Sequence, residues 1–174
     1  MKRIIVALLA VLLFASPALS KDRTGSFEAS ASVGVSNVIN QDDFAATLDD
    51  WSETYGAGLA YVLAQNHAVS VNASFSDFDQ SFRAVSVNYS RLFRANSNLV
   101  PFVSVGYGLT NQGIISTDVK QILNANVGAK VHVGNRLGLF GNGGVVSALD
   151  RDANGARLAS YVGKVSAGVF LRAR

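Results

Sequence analysis

Two neighbouring stretches, Phe82 to Phe93 and Leu99 to Thr110, alternate apolar and polar side chains with a period of two. In the first, Val85, Val87 and Tyr89 oppose Ala84, Ser86, Asn88 and Ser90. In the second, Val103, Val105, Tyr107 and Leu109 oppose Phe102, Ser104, Gly106 and Gly108. Successive side chains of a strand point to opposite faces, so each stretch is predicted to be a strand with one apolar face. The link between them, residues 94–98, is short and polar, as an antiparallel hairpin needs. The polar face is Ser, Asn and Gly, with no charge in mid-strand. That combination constrains the fold more than any other feature of the chain.

The same alternation recurs at 26–35, 53–63, 68–76, 121–133, 137–146 and 158–171, giving eight expected strands. The segment 137–146 is the least regular of them, because glycines interrupt it. Short connections fall at 65–67, 94–98 and 134–136, and longer ones at 37–50, 77–81, 111–120 and 150–157. An even strand number with short turns at one end and long loops at the other is the pattern of a transmembrane β-barrel. A lipocalin-like barrel would instead bury the apolar face and show the polar one to water. Soluble surfaces are about a quarter to a third charged. Here the mid-strand polar face carries only Glu28, Lys130 and Lys164, with His132 beside them. Small uncharged side chains suit the narrow lumen of an eight-stranded barrel, and Val, Leu, Phe and Tyr suit acyl chains. The tyrosines 55, 61, 89, 107 and 161 share the apolar parity, as an aromatic girdle requires. The expected fold is all-β: an eight-stranded antiparallel up-and-down transmembrane barrel.

Lys2 and Arg3 precede an apolar run, Ile4 to Phe14, and the small residues Ala18 and Ser20 close it. This predicts a cleavable signal peptide over 1–20 and a single barrel domain over 21–174. The run is shorter than the roughly 20 residues of a spanning helix. The chain has no cysteine, so the barrel holds without disulfides. Removing Lys2 and Arg3 with the leader lowers the formal charge from +3 to +1, which gives no basis for a nucleic-acid partner.

The words V-N-Y-S-R-L-F at 87–93 and V-P-F-V-S-V-G-Y-G at 100–108 resemble those of the small eight-stranded outer-membrane barrels. That group includes the membrane domain of the OmpA family and the opacity-type porins. The resemblance covers the whole mature chain and implies the bacterial outer membrane, with lipid and lipopolysaccharide as its surroundings. It departs at the end, where Phe170 is followed by Leu-Arg-Ala-Arg instead of closing the chain.

With the amino end in the periplasm, the long connections face outward and carry most of the acids, including Asp42, Asp43, Asp49 and Asp50. The opposite rim is expected to be basic, with Lys21, Arg23, Arg91, Arg94, Arg136, Arg172 and Arg174 against Asp22. The acidic loop offers oxygen ligands to divalent cations, which could bridge it to lipopolysaccharide phosphates. Its D-D-F-A-A-T-L-D-D run lacks the spacing of a calcium loop, so a solvated acidic surface is the simpler expectation. Phe44, Leu48 and Trp51 in this region are expected to dock on lipid or a partner, or to pack over the barrel mouth. The two histidines, His67 and His132, fall at the periplasmic side and form no arrangement with Ser and an acid. No cofactor or metal is implied. Glu28 is expected to pair with Lys130 or Lys164 inside the lumen, because an unpaired buried charge costs several kcal/mol. The expected function is a structural outer-membrane protein anchoring four surface loops. The alternatives are a small porin, a lipid-modifying enzyme and a periplasmic lipocalin-like binder.

Overall fold

Each alternating segment forms a strand, and pairing carries several strands past the end of their alternation. The computed structural model describes residues 23–39, 51–76, 82–112, 119–151, 157–158 and 161–173. The expected leader, and the acids Asp42, Asp43, Asp49 and Asp50 with Phe44 and Leu48, lie outside the described residues. In chain order the strands are β1 (Phe27–Ile39), β2 (Ser52–Ala64), β3 (His67–Ser76), β4 (Phe82–Leu92) and β5 (Leu99–Gln112). They continue with β6 (Val119–His132), β7 (Leu137–Ala148), β8 (Asp150–Arg151), β9 (Arg157–Leu158) and β10 (Tyr161–Ala173). Eight of them, β1 to β7 and β10, form a closed barrel in which each strand pairs with its sequence neighbour. Closure joins β1 to β10 antiparallel, from Phe27 opposite Ala173 to Ile39 opposite Tyr161. β1 therefore runs four residues past its alternating segment, because the backbone ladder continues where the side-chain pattern has stopped.

The connection from β7 to β10, expected as a loop, contains a two-residue ladder between β8 and β9 outside the barrel sheet. The glycine-broken segment is a full strand, β7, paired on both sides. Of its four glycines, lumenal Gly138 and Gly144 are crowded by the neighbouring strands, whereas outward Gly141 and Gly143 meet nothing closer than 3.7 Å. A Cβ on Gly138 would lie 2.1 Å from Phe170 Cζ, and, in the reverse sense, one on Gly168 of β10 would lie 2.8 Å from the ring of Phe140 on β7. Lumenal aromatic rings thus lie over bare backbone of the adjacent strand, a pairing that helps pin the register. One bulge, between Val62 and Ala64, ends the β2–β3 ladder.

The apolar face points outward. Leu59 is 64% exposed, Val127 63% and Val105 60%, while lumenal Ser36 and Thr54 are each 1% exposed. Tyr55, Tyr107 and Tyr161 lie toward the end with long connections, and Tyr61 and Tyr89 toward the end with tight turns. Tyr61 also packs on Phe27, ring centroids 4.8 Å apart. Inside, at the tight-turn end, Val62, Ala68, Leu92, Ala95, Val100 and Phe102 form a buried apolar cluster.

Candidate functional site

The lumen is the candidate site among the described residues, and the strand register builds it. Even-numbered positions of β3, β4 and β6 point inward, giving a lining of Ser70, Asn72, Ser86, Asn88, Asn124 and Asn126. These short side chains leave a cavity of about 170 Å³, room for several water molecules. Many of the lining groups bond one another: Asn72 Nδ2 donates to Ser70 Oγ at 2.9 Å, and Asn88 Nδ2 to Ser86 Oγ at 3.0 Å.

At the tight-turn end the lumen is filled. Glu28, 3% exposed, accepts from Lys130 Nζ at 2.5 Å and from Arg172 Nη2 at 2.8 Å. Arg172 Nε adds a third bond to Glu28 at 3.2 Å, and its Nη2 also donates to His132 Nδ1 at 2.8 Å. Phe170, 2% exposed, lies under this cluster, with Lys130 Nζ 5.4 Å from its ring centroid and His132 edge-on at 5.0 Å. Arg23, just before β1, donates to Ser97 O at 2.9 Å and closes the end from below. Burial, and then the charge of Arg172, hold the Arg23 guanidinium at about 10 against Glu28's opposing pull, so it stays cationic at neutral pH. With the apolar cluster around Val62 and Phe102, these groups form a plug.

Of the three lumenal charges expected to meet, Glu28 and Lys130 are brought together and Lys164 is not. Barrel closure is antiparallel, so the start of β1 faces the end of β10: Glu28 lies opposite Arg172, and Lys164 lies opposite Ser36. Eight residues separate Lys164 from Arg172, about 27 Å of strand at roughly 3.4 Å per residue. Lys164 is half-buried and has no hydrogen-bond or ion-pair partner among the described residues. Its neighbour Ser36 belongs to a ring of buried hydroxyls, bonded to Thr54 at 2.7 Å and Ser76 at 3.3 Å, with Thr54 to Ser76 at 2.7 Å. Arg172 was legible, because outward Leu171 puts its successor in the lumen; grouping it with the basic rim hides that.

Lys164→Met is accordingly expected to leave the urea midpoint of the barrel unchanged or to raise stability by up to about 2 kcal/mol, since an unpaired half-buried ammonium is removed. Unfolding from lipid vesicles checks this. A loss comparable to that from Glu28 variants would mean that Lys164 has a stabilising partner.

The remaining candidates are dispersed. His132 is 3% exposed within the plug, and His67 lies on the outer surface, bonded to Tyr89 and Arg91. Neither meets a serine and an acid. Among the described residues no three of His, Cys, Asp and Glu gather as a metal site would require. Trp51 is half-buried, with its indole nitrogen shielded and unbonded.

No protein-family model matches the chain, and no curated protein matches it. Solved structures do. Neisserial surface protein A aligns over 84% of this chain and 98% of its own, with a TM-score of 0.62 at 13% identity. Ail, the attachment invasion locus protein of Yersinia pestis, aligns over 86% and 99%, with a TM-score of 0.57 at 15% identity. A de novo designed transmembrane β-barrel aligns over 90% and 100%, with a TM-score of 0.58 at 17% identity. The architecture is thus shared with designed and natural chains alike. The chain has the fold of the small eight-stranded outer-membrane β-barrels.

Proposed function

We propose that this chain is an exported, non-enzymatic protein of the bacterial outer membrane, which anchors its four long connections at the cell surface. The observation that carries this reading is the outward apolar belt on a closed barrel. Only lipid can receive that much exposed Val, Leu and Tyr without cost. Residues 1–20 act as its cleaved export signal, and the tight turns face the periplasm. The plug of Glu28, Lys130, Arg172 and Phe170 supports an anchor over an open pore. A second reading, passage of small solutes, draws on the polar cavity and on Lys164, and requires the plug to open.

At the surface, the carboxylates of Asp42, Asp43, Asp49 and Asp50 would share divalent cations with lipopolysaccharide phosphates. Ail has been crystallised with the heparin analogue sucrose octasulfate. The acidic composition of these connections would repel such a polyanion, so the surface partner of this chain is expected to be cationic or cation-bridged. The test is membrane fractionation with gel mobility before and after boiling. The protein is expected in the outer-membrane fraction, as a compact form that shifts on heating. Recovery as a detergent-free soluble protein from the periplasm would instead favour the lipocalin-like binder.

A further inference from the structure

A charged group sits on the lipid-facing surface where the apolar belt ends. Arg91 has the outward parity of Val85, Val87 and Tyr89, at the tight-turn end of β4, and lies opposite His67 on β3 and Val103 on β5. Its Nη1 donates to His67 Nε2 at 2.5 Å, and His67 Nδ1 is bonded to Tyr89 Oη. A guanidinium is donor-only, so Nε2 must carry the lone pair and Nδ1 the ring proton, which it gives to the phenol oxygen. The chain of bonds therefore runs Arg91 to His67 to Tyr89. Among the described residues it ends with the Tyr89 hydroxyl proton undirected and with the other guanidinium N–H groups of Arg91 uncommitted. No carboxylate pairs with Arg91 among the described residues. Above the trio, Val69 and Val105 flank Tyr89, and Val71 flanks Val87. The result is a net positive, donor-rich patch at the foot of a valine-lined track.

We propose that Arg91, His67 and Tyr89 form a binding site for the phosphate of a glycerophospholipid headgroup in the periplasmic leaflet, with an acyl chain running along Val69, Val71 and Val105. The shape of the donor set fits the ligand. The planar fork of Arg91 can meet two phosphate oxygens, which a lysine could not do. Tyr89 Oη offers a further donor, and His67 holds the two at fixed spacing. A headgroup phosphate supplies the negative charge that the guanidinium lacks, at the depth where a long basic side chain leaves the acyl region. This rests on the membrane-spanning reading above, and on the tight turns facing the periplasm.

The test uses the full mature chain refolded into vesicles of phosphatidylglycerol and phosphatidylethanolamine, extracted in mild detergent and weighed by native mass spectrometry. Wild type is expected to retain one phospholipid. Arg91→Gln should lower the retained fraction about tenfold or more, the loss of a charge-assisted contact. Tyr89→Phe should lower it severalfold. Arg94→Gln, at an exposed cation of the same rim, should leave it unchanged. Should Arg91→Gln fail to fold, wild type alone still decides the matter. It should keep phosphatidylglycerol and release a phosphate-free galactosyl diacylglycerol of the same chains. Equal retention of both lipids, equal loss in the Arg91 and Arg94 variants, or preference for lipopolysaccharide would each overturn the site. A wild-type barrel that inserts and heat-shifts but retains no lipid would fail this inference alone, whereas a chain that never inserts would fail the membrane reading itself.

Discussion

Val87→Arg and Val127→Arg are each expected to stop the barrel from inserting, while Ser86→Thr, one residue away on the other face, inserts normally. Val87 is 54% exposed and Val127 63% exposed, both on the outer surface near the middle of their strands. Val87 is flanked by Val71 and Tyr107, and Val127 by Val103 and Gly143, so neither position has a carboxylate beside it with which an arginine could pair. A guanidinium near the bilayer midplane costs about 2–4 kcal/mol, and from mid-strand it reaches neither interface easily. Arg91 stands at the end of the same face of β4, where a headgroup lies within reach, and this contrast accounts for its tolerance. Ser86 faces the cavity, and threonine keeps the hydroxyl that Asn88 Nδ2 reaches at 3.0 Å. The readout is the heat-shifted fraction in isolated outer membranes, with folding free energy into vesicles as the second measure. Normal insertion of both arginine variants would mean that the apolar face does not meet lipid.

The barrel was legible in the sequence because alternation is a local signal. Val85-Ser86-Val87-Asn88-Tyr89 states its two faces without reference to any other strand, and the absence of mid-strand charge says which face is outside. What could not be read locally is what depends on pairing. Lys164 and Arg172 share a strand and a parity, so both point into the lumen. Only the antiparallel direction of closure decides that Arg172, not Lys164, stands opposite Glu28. Part of the irregularity of β7 has the same origin. Lumenal Gly138 must be bare because Phe170, on the neighbouring strand, occupies the space its side chain would take, whereas outward Gly141 and Gly143, which interrupt the apolar face, have no such neighbour. The outward trio of Arg91, His67 and Tyr89 was hidden for a similar reason. Tyr89 reads as girdle, His67 as turn and Arg91 as rim until the β3–β4 register puts them side by side. The short ladder of β8 and β9 lacks any periodic signal, since two residues are too few to alternate.

Glu28→Gln is expected to destabilise the barrel by roughly 3–5 kcal/mol, and to do so more than loss of either of its cations. The asymmetry follows from the count of charges. Lys130 and Arg172 both bond Glu28, and Arg23 lies close enough to feel its charge, so one carboxylate compensates three cations. Without it, the three repel one another in a space walled by Phe170 and Phe102. Removing Lys130 instead leaves Glu28 held by Arg172 through two bonds, at 2.8 and 3.2 Å. Removing Arg172 leaves it held by Lys130 and frees His132 Nδ1. Lys130→Met and Arg172→Met should therefore each cost less than Glu28→Gln, and adding both to Glu28→Gln should recover much of the loss, because only Arg23, which also bonds Ser97 O, then remains charged in the plug. Urea unfolding from lipid vesicles orders the four variants. A conducting lumen predicts a different outcome, since mobile water and ions would screen the cations. Glu28→Gln would then change ion selectivity in planar bilayers at nearly unaltered stability. Steady wild-type conductance with that selectivity change would displace the plugged anchor in favour of the channel. A stability order with Glu28→Gln as costly as stated and no conductance from the wild type is what a filled tight-turn end requires.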